Sequence, residues 1–270
     1  MKIVFPELSS NPIARAAAAH FSDVEWLSSD SPDSAAATLA AGHADSMISG
    51  LDYSSRDVVL ACKSHLPLSS TSFSSCFVAE RTEPDGTVTH LVLADGGINK
   101  QPTPDQYLTL IEDSAKTYEA YYDEQPRIAL LSYSTYGSGG KNPDSDKFQL
   151  ALNHVRTNHP DWLIDGEMQL DAAISPEVAT KKTPASPLQG RANVLIVPDL
   201  NSGNILYKSL ERFGGFTIAG PIIQGFTMPL ADLSRGSTLD DVILTIKVIL
   251  KLYSEDSPEL TSEVEGARAP

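Results

Sequence analysis

The first fifty residues alternate short apolar runs with segments of helical spacing, and this alternation constrains the fold more than any other feature of the chain. Three apolar runs predict buried strands. Two intervening segments predict helices, the first with Asn11 as a good N-cap and the second ended by Gly42. The strands are expected at 2–5, 24–27 and 44–50, and the helices at 12–21 and 33–42. This order of elements predicts a parallel sheet with right-handed crossovers.

The middle of the chain contains a different signal, an antiparallel hairpin. The turn sequence EPDG (83–86) separates two runs, 72–80 and 87–94, that read as paired strands. Further helices are expected at 104–122, 144–158, 203–213 and 239–252, and further strands at 128–133, 163–165 and 194–197.

The C-terminal part combines a helix start with an aperiodic tail. Ser237 and Asp240 predict a capping box before the last helix, with Asp in place of the usual Glu or Gln. From residue 254 the chain is acidic, contains proline and has no periodicity, which predicts a disordered tail.

Charge and cysteine content argue against several classes of protein. The chain has 20 basic and 35 acidic residues, a formal net charge of −15, which argues against a nucleic-acid binder and against binding to anionic membranes. No apolar run approaches the roughly 20 residues that span a bilayer. Cys62 and Cys76 have neither metal-ligand spacing nor a disulfide framework. With no secretory signal, we therefore expect a cytoplasmic location.

Four polar segments rich in small residues directly follow predicted strands, where ligands of α/β sheets bind. They are 50–56, 132–141, 198–204 and 232–236. Backbone N–H groups exposed before helix N-termini suit phosphate oxygens, and an anionic substrate needs such local donors in a negatively charged protein. Each segment taken alone also fits an ordinary turn and N-cap. The residues alone therefore indicate an anion-binding α/β protein.

Several stretches of the chain together resemble one known family. The matching stretches are LLSYSTYGS (130–138), WLIDGEMQLDAAI (162–174), ATKKTPASPLQGRANVLIVPDLNSGNILYK (179–208), GPIIQG (220–225) and PLADLSRG (229–236), with weaker similarity at 2–7, 44–50 and 93–99. With these stretches in this order, the chain resembles phosphate acetyltransferase. The GEMQLDAA and DLSRG forms resemble the acetyl branch of the family more than its butyryl relative.

The resemblance implies an α/β, two-lobed fold of the isocitrate/isopropylmalate-dehydrogenase-like kind with an interlobe cleft. The first lobe is expected to combine 1–70 with 228–270, and the second to span 71–227 and to carry the surface of a homodimer. The implied reaction is reversible acetyl transfer between acetyl phosphate and coenzyme A. Acetyl phosphate, phosphate and coenzyme A would be substrates, with no permanently bound cofactor. No metal is expected, since no cluster of aspartates suits a divalent ion.

The resemblance also places the catalytic residues, at Ser234, Arg235 and Asp241. Asp241 would take the proton of the attacking thiol, Arg235 would hold phosphate oxygens, and Ser234 would hydrogen-bond the developing oxyanion. Other interpretations stay open. Asp241 also fits a charge at a helix N-terminus, Arg235 a surface ion pair, and Ser234 a turn or capping residue.

The four polar segments supply the predicted substrate-binding residues. These are Ser54, Ser55, Arg56, Ser134, Thr135, Gly137, Ser138, Asn201, Asn204 and Lys208. Contact with a phosphate and contact with solvent fit Lys208 equally well. Lys181 and Lys182 fit a solvated face better than a site for the phosphates of coenzyme A.

The chain departs from the family pattern at three points. The stretch between residues 21 and 44 is much shorter than in the acetyl branch, Leu60 stands where many relatives have an arginine, and Gly96 stands where many have a cysteine. Arg56, one helical turn before Leu60, is expected to supply the missing guanidinium, although it also fits a solvated residue. Transfer of longer acyl groups and a non-catalytic paralogue that binds coenzyme A are the alternatives.

Overall fold

A computed structural model describes residues 1–140 and 144–256 of the 270-residue chain. The chain divides into two compact units. The first combines Met1–Pro67 with the segment that begins at Thr227, and the second is Leu68–Phe226. Each unit has its own sheet region and helices, so each is described by itself.

The elements are numbered in chain order. The strands are β1 (Lys2–Val4), β2 (Glu25–Leu27), β3 (Ser46–Ser49), β4 (Ser74–Thr82), β5 (Val88–Ala94), β6 (Arg127–Leu131), β7 (Leu163–Met168), β8 (Val194–Ile196), β9 (Thr217–Gln224) and β10 (Leu230–Asp232). The helices are α1 (Pro12–Ala18), α2 (Pro32–Ala40), α3 (Ser55–His65), α4 (Pro104–Tyr122), α5 (Ser145–Asn158), α6 (Leu170–Ile174), α7 (Pro176–Lys182), α8 (Leu200–Arg212) and α9 (Leu239–Asp256). A short 3-10 helix, Pro6–Leu8, follows β1.

The first unit contains four parallel strands in the order β2-β1-β3-β10. The predicted strand–helix–strand–helix–strand opening is confirmed, and β10 joins it from the far end of the chain. Asn11 begins α1 as predicted, because its side chain accepts hydrogen bonds from the N–H groups of Ile13 (2.9 Å) and Ala14 (3.4 Å). Gly42, with φ of +73°, follows α2 in the left-handed conformation that glycine favours.

The second unit contains six strands in the order β9-β4-β5-β8-β6-β7. The predicted hairpin is confirmed, since β4 and β5 pair antiparallel from Cys76–Ala94 to Thr82–Val88. Strands β5, β8, β6 and β7 are parallel, so their carboxyl ends lie at one edge of the sheet. The ring of Phe77 on β4 stacks on Tyr207 of α8 at a centroid distance of 3.9 Å, within a buried apolar cluster.

One predicted capping box and one predicted helix start are wrong, whereas α9 itself begins at Leu239 as predicted. The capping box expected on Ser237 and Asp240 forms instead on Thr238 and Asp241. The sequence STLDD contains two hydroxyls and two carboxylates, so the pattern fits two registers, and the burial of Asp241 and of the apolar side of α9 selects one. Helix α8 begins at Leu200 instead of 203, because the Asp199 side chain accepts the N–H of Ser202 at 2.8 Å.

Residue patterns predicted no element for β9, β10, α6 or α7. Strand β9 contains Pro221, and a proline within an apolar run argues against a central strand. The other three are only three to seven residues long. Helix α9 continues to Asp256, so residues 254–256 of the predicted tail are helical, and its remainder, 257–270, lies outside the described residues. No helix in the described part of the chain is both long and apolar enough to cross a membrane.

Candidate functional site

The carboxyl ends of the parallel strands in the first unit carry a buried acidic residue, Glu7. It follows β1 in the 3-10 helix and is 1 % exposed. Its carboxylate accepts hydrogen bonds from the N–H of Gly50 (2.7 Å) and from the hydroxyl of Ser49 (3.1 Å) at the end of β3. The N–H of Asp52 contributes a longer one of 3.4 Å. Glu7 therefore orders the segment that leads from β3 towards α3.

A second carboxyl, Asp232, ends β10 beside Ser49 of β3 and is 2 % exposed. Its oxygen Oδ1 is buried and has no hydrogen-bond partner among the described residues. Burial raises the pKa of Asp232 to about 7. A hydrogen bond with Ser55 opposes that increase, and the negative charge of Glu7 adds to it. Asp232 therefore changes between its protonated and its ionised form near neutral pH.

Gly50 brings two of the predicted polar segments of the first unit into contact. It has a φ of +117°, and a Cβ at this position would lie 2.4 Å from the carbonyl oxygen of Leu233 and 2.6 Å from Asp232 Oδ1. Only a glycine fits this close approach of β3 to the loop after β10. As a result, segments 50–56 and 232–236 are adjacent.

The predicted substrate-binding residues of the first unit lie at the start of α3. Ser54 is the N-cap, and its hydroxyl accepts the N–H of Asp57 at 3.3 Å and donates to the Asp57 carboxylate at 2.6 Å. Ser55 and Arg56 occupy the first two helical positions and are exposed. Leu60 lies one turn further along α3 and is 46 % exposed. Arg56 and Leu60 therefore lie one helical turn apart on α3 and are both exposed, as the sequence predicts.

The predicted catalytic residues of the first unit differ in their exposure. Ser234 is half-buried and its hydroxyl accepts the N–H of Gly236 at 3.2 Å. Arg235 is exposed, and no carboxylate in residues 1–140 or 144–256 forms an ion pair with it. Asp241 is buried in the first turn of α9, where its Oδ2 accepts both the N–H and the hydroxyl of Thr238, each at 2.7 Å.

In the second unit, the loop after β6 uses most of its own polar groups. The Ser134 hydroxyl accepts the N–H of Gly139, the Ser138 hydroxyl accepts the N–H of Thr135, and the Thr135 hydroxyl accepts the N–H of Gln169, each at 3.0 Å. Gly137 has a φ of +80°, which allows the turn between them. Ser134 and Thr135 are buried. These hydroxyls order the loop, and two backbone donors of the predicted segment 132–141, the N–H groups of Thr135 and Gly139, already have partners.

The loop after β8 leads into α8 and contains the remaining predicted residues. Asn201 is exposed, and the side-chain amide of Asn204 donates to the carbonyl of Gly96 at 3.3 Å. The ammonium of Lys208 lies 4.7 Å from the centre of the Tyr207 ring, a cation–π contact at an exposed site. Among these three, Asn204 has a defined structural role.

The structure explains why a glycine stands at position 96. A Cβ there would lie 2.9 Å from the ring of Phe77 and 3.2 Å from the backbone of Gly203. The backbone after β5 meets the first turn of α8 at this point, so a larger side chain would require a shift of Phe77. The departure from the family pattern thus reflects close packing at this point.

Sequence patterns assigned no role to three buried charged residues, of which Glu7 and Asp232 lie at strand ends and Lys147 lies on a helix. Glu7 and Asp232 come together only because β10 adds to the sheet beside β3. Lys147 on α5 is buried, donates to the carbonyl of Pro198 at 3.2 Å and pairs with Asp144 at 3.0 Å. The one signal in the sequence that could have indicated these residues was the position of a charged residue next to an apolar run. Within the described residues, no group of three or more His, Cys, Asp or Glu is arranged to hold a metal ion.

Comparison with known proteins gives the family. The family model described as phosphate acetyl/butaryl transferase matches residues 13–250. Phosphate acetyltransferase of Treponema pallidum is 40% identical over 225 residues, which cover 80% of this chain and 66% of that protein. Phosphate acetyltransferase of Clostridium acetobutylicum is 42% identical over 158 residues, covering 58% of this chain and 47% of that protein. The matched part is thus less than two thirds of the length of these relatives.

Solved structures give the same result for the fold. A phosphotransacetylase from Streptococcus pyogenes has a TM-score of 0.82 at 29% sequence identity, with 94% of each chain covered. This similarity confirms the two-lobed α/β fold class expected from the sequence. The family-model match, which spans most of the chain, identifies the chain as a member of the phosphate acetyl/butaryl transferase family.

Proposed function

We propose that this protein catalyses reversible acetyl transfer between acetyl phosphate and the thiol of coenzyme A. The sulfur attacks the acetyl carbonyl carbon and forms a C–S bond. The bond between that carbon and the bridging phosphate oxygen breaks, phosphate leaves with the electron pair, and the thiol proton passes to a base. No covalent enzyme intermediate is needed, because both substrates can react in one ternary complex.

One observation carries this proposal: Arg235 lies exposed beside Ser234 just after β10, in the segment that carries the family motif, without a carboxylate partner among the described residues. A guanidinium that is not engaged by the protein can bind two phosphate oxygens bidentately. The start of α3, with Ser54, Ser55 and Arg56, is adjacent through Gly50 and adds helix-terminal N–H groups. This edge of the first unit therefore offers donors suited to acetyl phosphate.

The roles proposed for the motif residues follow from their chemistry. Arg235 neutralises charge that develops on the departing phosphate, and the Ser234 hydroxyl donates to the carbonyl oxygen as it becomes an oxyanion. Asp241 accepts the thiol proton, because a thiol with a pKa near 8.5 is a weak nucleophile until it loses that proton. The hydrogen bonds from Thr238 hold the Asp241 side chain in one orientation, which supports a fixed base.

The substrate-binding roles of the second unit form part of the same proposal. Ser134, Thr135, Gly137 and Ser138 shape the loop after β6, and Asn201, Asn204 and Lys208 would meet the coenzyme A side of the reaction. Coenzyme A acts here as a substrate, and we propose no resident cofactor. A cytoplasmic location is consistent with Cys62 and Cys76, which are both unpaired and buried.

A direct assay tests the proposal and separates the alternatives. Purified protein with acetyl phosphate and coenzyme A is expected to form the thioester, and the reverse reaction to release acetyl phosphate. Propionyl and butyryl phosphates in the same assay measure the acyl-chain preference. Calorimetric binding of coenzyme A without turnover in either direction would support the non-catalytic paralogue and contradict the enzyme.

We further propose that the second unit forms a homodimer through the exposed apolar residues around α8. Phe213 is 90% exposed and Ile205 is 67% exposed. Large apolar side chains left exposed to solvent are typical of protein–protein interaction sites. A cavity of about 670 Å³ in the same unit has Leu206 and Leu210 of α8 and the nearby Phe216 in its wall. Sedimentation of the wild type is expected to give twice the chain mass, and Phe213→Asp to give monomer. A monomeric wild type would contradict this proposal.

A further inference from the structure

Glu7 is connected to the segment that carries the family motif through two successive hydrogen bonds. Its carboxylate accepts the N–H of Gly50 at 2.7 Å and the hydroxyl of Ser49 at 3.1 Å. The carbonyl of Ser49 in turn accepts the N–H of Leu233, the first residue after β10, at 2.5 Å. Ser234 follows Leu233 directly in the chain. The place where the motif leaves β10 therefore depends on how Glu7 holds the end of β3.

This path from Glu7 to the motif is buried and closely packed. Glu7, Ser49 and Leu233 are 1%, 0% and 2% exposed. A Cβ on Gly50 would lie 2.4 Å from the carbonyl oxygen of Leu233, so the two backbones are already in contact. Closely packed groups transmit a displacement because they have no free space to absorb it. A shift of the Glu7 carboxylate is therefore passed on to Leu233.

The main chain of Glu7 is anchored independently of its side chain. Its carbonyl accepts the N–H of Asn11 at 2.8 Å, and the Asn11 side chain both caps α1 and donates to Asp52 at 3.0 Å. Pro6, which starts the 3-10 helix, fixes its own backbone φ. The carboxylate thus extends from an ordered turn, and the length of the side chain determines where it meets the end of β3.

The three groups that contact the Glu7 carboxylate are all hydrogen-bond donors. They are the N–H of Gly50, the N–H of Asp52 and the hydroxyl of Ser49. None of the ion pairs within residues 1–140 and 144–256 includes Glu7. A carboxylate suits this place because it only accepts hydrogen bonds, and a glutamine of the same length retains the oxygen Oε1 for both N–H groups. The reach of an acceptor atom is therefore the property that matters here.

We propose that Glu7 is a positioning residue for the proposed reaction, and that the length of its side chain sets where Ser234 and Arg235 stand at the end of β10. Glu7 acts only through the backbone of β3 and of Leu233 and takes no part in proton transfer. A displacement of about 1 Å is enough to weaken the interactions of Ser234 and Arg235 with the reacting groups. The inference rests on the proposed function, which gives these two residues their roles.

Two variants of Glu7 separate the length of its side chain from its charge. Glu7→Asp retains the charge but withdraws the carboxylate by about 1.5 Å, which breaks the hydrogen bond to Gly50. Glu7→Gln removes the charge but retains the length and the acceptor. We expect Glu7→Asp to lower kcat/KM for acetyl phosphate by about tenfold or more, and Glu7→Gln to stay within about threefold of the wild type. An active Glu7→Asp with an impaired Glu7→Gln would overturn the proposal, since it would assign the effect to charge.

The two KM values distinguish positioning from a loss of stability. A smaller folded fraction lowers the apparent kcat and leaves both KM values unchanged, whereas a displaced Arg235 binds the phosphate group less well. In Glu7→Asp we therefore expect the KM for acetyl phosphate to rise by about threefold or more, and the KM for coenzyme A to change by less than about twofold. An unchanged KM for acetyl phosphate in Glu7→Asp would overturn the proposal.

Ser46→Ala is the matched control for stability. The Ser46 hydroxyl joins the other end of β3 to the carbonyl of Pro229, just before β10, at 2.7 Å, and this bond is buried. Its loss affects the same pair of strands away from the motif. Ser46→Ala is expected to lower the melting temperature while both KM values stay as in the wild type. A rise in the KM for acetyl phosphate in Ser46→Ala equal to that in Glu7→Asp would assign both effects to general loosening of the sheet and overturn the proposal.

Amide hydrogen exchange tests the same coupling without turnover. The N–H of Leu233 and the N–H of Gly236, which donates to the Ser234 hydroxyl, report on the motif segment. We expect both amides to exchange faster in Glu7→Asp than in the wild type, Glu7→Gln or Ser46→Ala. If Glu7→Asp does not fold, Ser49→Ala replaces it, because this change removes one donor to the carboxylate and leaves the backbone of β3 intact.

The two kinds of measurement separate this inference from the proposed reaction. A wild type without turnover, in which Glu7→Asp or Ser49→Ala still speeds exchange at Leu233 and Gly236, contradicts only the reaction. An active wild type, in which these variants change neither the exchange nor the KM for acetyl phosphate, contradicts only the positioning role of Glu7.

Discussion

Thr238 and Asp241 cap the first turn of α9 reciprocally: the Asp241 carboxylate accepts the N–H and the hydroxyl of Thr238 at 2.7 Å each, and the Asp241 N–H donates to that hydroxyl at 3.3 Å. The residue proposed as the base is thus also the residue that stabilises the helix start. The two interpretations left open by the sequence, a base and a helix-terminal charge, are compatible. The two interpretations predict different effects for substitutions at Thr238 and at Asp241.

Changes at Thr238 and Asp241 separate the two roles. Asp241→Asn keeps an acceptor oxygen for the cap but removes the proton acceptor, so we expect kcat to fall by about 10²-fold or more with little change in melting temperature. Thr238→Ala removes a cap partner and is expected to cost about 1 kcal/mol of unfolding free energy while it retains most of the activity. Steady-state kinetics and thermal unfolding of both variants measure this. Full activity of Asp241→Asn across the pH range would show that Asp241 is not the base.

Arg235→Ala is expected to lower kcat by roughly 10²-fold or more and to raise the KM for phosphate or acetyl phosphate. The physical reason is the loss of a charge that interacts with the leaving group more strongly in the transition state than before it. Because Arg235 is exposed and forms no ion pair with described residues, the melting temperature should not change. Unchanged kinetics in both directions would assign Arg235 to the solvated surface.

Arg56→Ala tests whether this arginine replaces the one that many relatives have at position 60. Both positions lie on α3 and both side chains are exposed, so a charge at either can act on the same face. We expect the KM for acetyl phosphate or coenzyme A to rise by about tenfold, and the double change Arg56→Ala with Leu60→Arg to recover part of the loss. An exposed, uninvolved arginine would contribute within about 1 kcal/mol and leave both KM values unchanged.

Asp232→Asn is expected to stabilise the protein most at neutral pH and above. The folded-state pKa of Asp232 is raised to about 7, above its ordinary value of 3.8. Between these values the folded state binds more protons than the unfolded state, so the contribution of Asp232 to stability falls as the pH rises. The melting-temperature difference between variant and wild type should therefore grow from pH 4 to pH 7 and then level off. A difference that is independent of pH would contradict the raised pKa.

A carboxylate between two histidines links α4 and α5 in the second unit. Glu112 Oε1 accepts hydrogen bonds from His154 (2.9 Å) and His159 (3.1 Å). Burial alone raises the pKa of Glu112, but these bonds and charges outweigh it and lower the pKa below 4.5. Its contribution to stability is present above pH 4.5 and is lost as the pH falls through the lowered value. Glu112→Gln should lower the melting temperature at pH 7, and the loss should shrink below pH 4.5. A decrease in melting temperature that is equal at every pH would show that Glu112 stabilises the protein through packing and not through its charge.

Local patterns were sufficient where the structure is made by residues close in the chain. Asn11 before α1, the hairpin of β4 and β5 and the helix α4 all lie where the sequence predicts them, because caps, turns and periodicity act over a few residues. The long motif stretches determined the family for the same reason, since they can be recognised without a fold. Local patterns did not predict the capping box at Thr238, because the sequence there fits two registers.

The candidate site depends on contacts that no local pattern contains. Glu7, Gly50 and Asp232 stand far apart in the sequence, and they meet because β10 pairs with β3 and places three strand ends at one edge. There, burial and the nearby Glu7 raise the pKa of Asp232, a property that its own neighbours in the sequence do not confer. The sequence by itself therefore determined most of the elements in their order, the family and the exposed residues of the motif. Only the tertiary structure decided which carboxyls are buried together, because desolvation and charge repulsion depend on distance in space.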